Sequence, residues 1–329
     1  MYFSIIIYCI LSFTLLFLIS KISYKLKLVD SPNSRKKHTV STAFTGGIAI
    51  SISFIFSILL FSIPNNNLNL ILSMALLICI VGLIDDKFDL NAGSKLCLQI
   101  IPIFYLIVFQ NLALSSLGEY YLFNLDLGVF TIPFTLLCVL FLINAFNYFD
   151  GIDGTLSLTS ISTLGILYFL IPNSEVKLFL LILSIPICIF LIFNFSLFNL
   201  PKMFLGDGGS LLLGFVISFI LIYLANENLI HPILLAWSIV IFVYEFLTVN
   251  LIRIVNNKNP FNAGHDHIHY LLNKKTRSIL FTNFFITALN TFLFLIGYIS
   301  FTLINPLTSL ILFILLFIPF LILRNKFQK

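Results

Sequence analysis

Eleven apolar runs of spanning length follow one another along the chain, at about 2–20, 46–63, 69–84, 96–113, 130–148, 155–172, 177–195, 210–225, 232–254, 279–300 and 304–323. Their apolar character is continuous rather than alternating, so they predict membrane helices and not barrel strands. A helix needs about 20 apolar residues to cross a bilayer. Eleven helices therefore leave room only for loops, and the whole of 1–329 is expected to form a single integral membrane domain. The first run has no basic residue before it and no small-residue cleavage site after it, and reads as a retained anchor. The fold class expected is an all-α polytopic membrane protein.

Composition agrees: 60% of the residues are hydrophobic and 9% charged, with a mean hydropathy of +1.09, against roughly 25% charged in a soluble domain. The five cysteines, Cys9, Cys79, Cys97, Cys138 and Cys188, are solitary and lie in or beside apolar runs. They are expected to be buried thiols rather than disulfides or metal ligands.

The net charge of +5 says less than its distribution. With the N-terminus outside, every Lys and Arg except Lys177 falls on one side. The positive-inside rule makes that side cytoplasmic and gives N-out, C-in. Nine of the 13 acids share it: Asp30, Asp85, Asp86, Asp89, Asp150, Asp153, Asp207, Asp266 and, near the inner end of the ninth span, Glu245. A face rich in both signs fits a metal and phosphate site better than a basic lipid-binding patch, and nothing in it suggests nucleic acid.

Five cytoplasmic stretches, about 21–45, 85–95, 149–155, 196–210 and 255–278, carry the candidate chemistry. Arg35, Lys36 and His38 form a basic cluster ahead of Gly46 and Gly47. On charge alone the cluster reads as a juxtamembrane anchor, and the Gly pair at a helix start adds a phosphate-binding reading. Asp85, Asp86 and Asp89 end the third span, with Lys95 and Gln99 following. Adjacent carboxylates at a membrane boundary need a cation, a base or a proton. Asn144, Asn147, Asp150 and Gly154 follow three- and four-residue steps, which on a continuing helix place two amides and a carboxylate on one face, with Asp153 close behind. Gly206, Asp207, Gly208, Gly209 and Ser210 open the eighth span. Free amides there suit a phosphate and Asp207 a bridging cation, although the Gly-Lys-Ser/Thr ending of a P-loop is absent. The loop from Arg253 to Arg277 holds His265, His267 and His269, which fit sugar or phosphate binding better than zinc, since no Cys is nearby. His231, on the opposite side, reads as structural.

Together these stretches resemble, in order and spacing, the polyprenyl-phosphate N-acetylhexosamine-1-phosphate transferases. The segment Gly118–Gly128 is similar to a short external β-hairpin (near 118–130) of the N-acetylglucosaminyl branch, and the Arg-Lys-x-His and His-x-His patterns favour that branch. The resemblance implies transfer of an N-acetylhexosamine 1-phosphate from a UDP-sugar to undecaprenyl phosphate in the bacterial inner membrane, with release of UMP. Such a reaction would initiate a cell-envelope polysaccharide, need magnesium or manganese, and be compatible with a homodimer. Asp207, Asp85 and Asp150 are then expected as metal ligands, and Asp85, Asp86, Asp150 and Asp153 as catalytic groups. Substrate contacts are expected from Arg35, Lys36, His38, Gly46, Gly47, Lys95, Asn144, Asn147, Ser210, Arg253, His265, His267 and His269. The chain departs from the family pattern at Ala43, at Gly264 and His265, at Tyr270 and at Glu245. The last positions bear on the donor sugar, so a 6-deoxy N-acetylhexosamine or N-acetylmuramoyl-pentapeptide is an alternative donor. A transporter, the rival class, would place its charges near the bilayer midplane.

Overall fold

The computed structural model describes residues 2–31, 41–63, 65–259 and 264–328, with the side chain of Gln328 left aside. Every apolar run lies on helix. The helices are α1 (Tyr2–Lys25), α2 (Gly46–Phe61), α3 (Asn66–Phe88), α4 (Ala92–Phe104, continued by a π turn over Tyr105–Phe109), α5 (Thr131–Phe149), α6 (Thr155–Leu170) and α7 (Ser174–Asn194). Then come α8 (Gly206–Asn226), α9 (Pro232–Ser238), α10 (Val240–Val255), α11 (Ile268–Thr276), α12 (Ile279–Leu303), α13 (Pro306–Leu315) and α14 (Phe317–Gln328).

Among the described residues, eight helical stretches are long and apolar enough to cross a membrane, or nine if α9 and α10, bent by 71°, count as one span. The expected eleven is not reached because α2 and α6 have only 16 residues each. At 1.5 Å per residue they run about 24 Å, short of a hydrocarbon core of about 30 Å.

Polar punctuation in the sequence sets several helix starts. The side chains of Asn65, Asn91, Asn173 and Asn305 each accept a backbone N–H from the first turn of α3, α4, α7 and α13, and Ser278 does the same for α12. These caps satisfy donors that have no partner within the helix.

The chain divides into two compact units. The first comprises Met1–Gln110 and Asn173–Ile217, with α1 to α4, α7 and the opening of α8. Its connection from α1 to α2 is pinned by a two-residue antiparallel ribbon, β1 (Val29–Asp30) with β2 (Thr42–Ala43), and by a parallel bridge from Ala43 to Met203. The second comprises Asn111–Pro172 and Ser218–Lys329, with α5, α6, the rest of α8, and α9 to α14. It also holds the expected hairpin, β3 (Ser116–Tyr120) antiparallel to β4 (Phe123–Asp126). His231 anchors that hairpin: its Nδ1 accepts from Ile233 N (3.2 Å) at the start of α9, so Nε2 donates to the carbonyl of Glu119 (3.0 Å).

In the apolar window of α8, 89% of residues are buried; an all-round apolar helix belongs in such a place. The cysteines are free, but only Cys79 is buried, while Cys97, Cys138 and Cys188 are exposed on helix surfaces. Their expected burial is therefore corrected: an apolar run in a membrane chain can turn its thiols outward as readily as inward.

Candidate active site

In the first unit, glycines bring backbone against backbone at the start of α8. A Cβ on Gly47 would overlap the backbone of Gly209, and one on Gly82 would overlap that of Asp207 and Gly208. Gly206 has φ +74° and leaves room for Asp86 Oδ2, which a Cβ would meet at 2.8 Å. The glycine pair at α2 thus serves close helix contact. The amide of Gly46 donates to Phe204 O (3.1 Å) and that of Gly47 to Leu205 O (3.0 Å). This corrects the expectation that Gly46 and Gly47 cradle phosphate, because their donors are already used. Ser210 is fully buried, with its hydroxyl donating to Asp207 O at 3.2 Å.

The close approach sets three charged side chains together. Lys95 Nζ lies 2.6 Å from Asp85 Oδ2 and 2.6 Å from Asp207 Oδ2. The other oxygen of Asp85 accepts Leu90 N at 2.9 Å, so its carboxylate has a fixed orientation. Asp86 Oδ2 faces Gly208 N at 3.4 Å, a negative group at the positive end of α8. Asp89 takes a left-handed conformation at φ 52°, its backbone N–H capping α3 at Asp85 O, and its side chain is exposed. Gln99, one turn beyond Lys95, is fully buried, and neither atom of its amide has a hydrogen-bond partner.

Asp85 and Asp207 form an all-oxygen pair of carboxylates bridged by the Lys95 ammonium. That donor set suits magnesium, which is held through one or two carboxylates and completed by substrate phosphate and water. Among the described residues, no three His, Cys, Asp or Glu side chains form a metal-holding group.

The second unit gathers the histidine loop. α5 ends at Phe149, and Asp150 is its C-cap at φ −87°, ψ 60°; Gly154, at φ +80°, precedes α6. The helical face expected to run on through Gly154 therefore breaks into a turn. Asn144 returns its amide to Leu140 O within the same helix (2.7 Å), which is how a span tolerates it. The carbonyl of Asp153 is held by Asn283 Nδ2 at 2.8 Å. Asn147, Asp150 and Asp153 all have partners.

Gly151 is where His269 and Tyr270 pack; a Cβ there would overlap His269 Nε2 and Tyr270 Oη. The rings of His267 and His269 lie nearly parallel at 5.7 Å, and Tyr148 is 4.6 Å from His267. His265 is exposed and meets Tyr270 edge-on. Arg253, expected to touch substrate, instead grips Asp266 at two points, Nε to Oδ2 at 3.0 Å and Nη2 to Oδ1 at 2.6 Å. Burial pushes the Asp266 carboxyl up, but Arg253 outweighs it and holds the group below its usual value. Arg35, Lys36 and His38 lie outside the described residues.

Burial lowers His267 to about 4 and His269 well below its ordinary value. Both are neutral at pH 7, which suits hydroxyl groups better than a pyrophosphate. Because the unfolded chain takes up protons from about pH 6.5 downward while the folded chain resists until about pH 4, stability falls as pH drops through that window. Thermal melts between pH 7.5 and pH 4 should show this loss, and a His269→Gln variant should lose less. An identical pH slope in the variant would refute the assignment.

The described residues thus combine apolar helices long enough to cross a membrane with a lysine-bridged carboxylate pair beside a glycine-packed helix start. The glycosyl transferase family 4 model matches residues 68–225, and this chain belongs to that family. Among its relatives, the undecaprenyl-phosphate alpha-N-acetylglucosaminyl 1-phosphate transferase of Escherichia coli O157:H7 is 33% identical over 273 residues, covering 79% of this chain and 73% of its own length. The enzyme of the same name from Yersinia pestis is 31% identical over 268 residues, with the same coverage. A Bacillus subtilis (strain 168) protein named "Probable undecaprenyl-phosphate N-acetylglucosaminyl 1-phosphate transferase" is 31% identical over 263 residues, covering 78% and 72%.

Sequence reasoning missed Tyr148 and the role of Arg324. The available signal was an arginine at the very edge of the last apolar run, where a charge needs water or a partner.

Proposed function

We propose that this chain transfers N-acetylglucosamine 1-phosphate from UDP-N-acetylglucosamine to undecaprenyl phosphate, releasing UMP. The observation that carries the reading is the Asp85–Lys95–Asp207 cluster at the glycine-packed start of α8, in a chain one-third identical to enzymes named for that transfer. The whole chain is read as one transferase domain of eleven spans, with the short α2 and α6 counted among them, N-out and C-in in the inner membrane, its active loops cytoplasmic and a homodimer allowed.

Two phosphorylated substrates repel each other, so neutralising charge and aligning the reacting groups is the main catalytic need. Magnesium held by Asp207 and Asp85 would supply that neutralisation when bound. Lys95 orients both carboxylates and offers its ammonium to phosphate oxygens. Asp86 is the candidate base on the acceptor, although a phosphate monoester with a second pKa of about 6 is already mostly dianionic at neutral pH. The acceptor then attacks directly, forming the new phosphoanhydride bond as UMP leaves, without a covalent aspartyl intermediate. Asp150 and the neutral His267 and His269 are assigned to the donor sugar.

The test supplies purified protein with undecaprenyl phosphate and a panel of radiolabelled UDP-sugars, and follows label into lipid and release of UMP. Transfer from UDP-N-acetylglucosamine is expected. Label entering lipid only from another UDP-N-acetylhexosamine would replace the donor, and passage of unchanged solute into vesicles would favour a transporter.

A further inference from the structure

Glu245 and Arg324 are the most deeply buried charges of the second unit, at 0% and 1% exposure. Charges in such surroundings persist only where the fold gives them partners, and their partners here lie on the histidine loop. Glu245 Oε1, on α10, accepts the backbone N–H of Ile268 at 2.8 Å. Arg324, on α14, stands with Nε 3.6 Å from the same oxygen and donates from Nη2 to the carbonyl of Asp266. The peptide groups on either side of His267 are therefore anchored, one by each member of the pair, while Arg253 grips the Asp266 side chain. The backbone of His267 is thus restrained from both sides. Its ring, buried against Tyr148, keeps an Nδ1 with no hydrogen-bond partner, and His269 keeps two such nitrogens. Buried imidazoles without partners are rare unless a ligand supplies them.

We propose that Arg324 is a positioning residue for the donor-binding loop: with Glu245 it fixes the backbone of 266–268 so that His267 and His269 present their free nitrogens to the nucleotide sugar. This rests on the proposed transferase reading. Arg324 touches no substrate, and its loss should weaken the donor and leave the lipid acceptor alone.

The experiment measures KM for UDP-N-acetylglucosamine and for undecaprenyl phosphate, with thermal melting, in the full-length detergent-purified protein. Arg324→Gln strands the Glu245 charge and invites misfolding, so Glu245→Gln/Arg324→Gln, which removes both charges, and Arg324→Lys, which keeps both, are made beside it. Donor KM is expected to rise on the order of tenfold in the double variant, with acceptor KM within about twofold, and to recover in part in Arg324→Lys. A folded double variant with wild-type donor KM overturns the positioning role, as does an equal rise in both KM values. Wild-type protein that does not use UDP-N-acetylglucosamine overturns the underlying functional reading instead.

Discussion

Asp207→Asn is expected to lower turnover on the order of 10³-fold while leaving the protein folded. The carboxylate is partly open to solvent, at 32% exposure, so its loss disturbs little packing. What it removes is one of two anionic oxygens around Lys95 and one of two charged donors for a divalent cation. An amide oxygen carries no full charge with which to hold the cation that offsets the negative charge of a phosphoryl transfer, and deletion of a single well-placed electrostatic partner commonly costs 10²–10³ in rate. Asp85 would keep Lys95 in place, so the melting temperature should shift little. Transfer assays over a range of magnesium concentrations check this. Substantial activity at ordinary magnesium would take Asp207 out of the metal-binding role.

Gly82→Ala is expected to have the largest effect on the fold itself. The added methyl would run into the backbone of Asp207 and Gly208, and backbone cannot rotate aside as a side chain can. Overpacking costs typically 1–3 kcal/mol, and here relief requires α3 and the start of α8 to separate, which also parts Asp85 from Asp207. Gly165→Ala is the internal comparison. Nothing lies within 4 Å of the Cβ it would add on α6, so it should be neutral or gain about 0.5–1 kcal/mol from helix propensity. Melting curves and size-exclusion profiles in detergent, followed by transfer assays, separate the two. Indistinguishable behaviour of Gly82→Ala and Gly165→Ala would show that the glycine contact does not matter.

Hydropathy revealed the helices because a continuous apolar run has few other physical uses. It did not resolve how long each stays straight: α2 is capped early by Ser62 at φ 46°, and the ninth run breaks at Ile239. Asp85, Lys95 and Asp207 were legible as charges at span ends, since each is costly there without a partner. Their mutual contact was not, because it depends on glycines whose backbone conformation one sequence does not disclose. Gly46 and Gly47 have the same pattern whether they hold phosphate or another helix, and only their partners Phe204 and Leu205 decide it. α11 is nine residues of mixed polarity, too short and too wet for the run length to find. Arg324 answers to Asp266, 58 residues away, and local spacing carries no trace of that.

The division of the chain has a consequence for biogenesis. All residues of the first unit have been synthesised once Ile217 is made, whereas the second, begun at Asn111, needs the helices through α14. Units tend to fold as they leave the ribosome, so the carboxylate and lysine cluster can assemble while the histidine loop has yet to be translated. A ribosome stalled far enough beyond α8 for that helix to have left the exit tunnel should therefore carry a nascent chain whose first unit is already protected from protease.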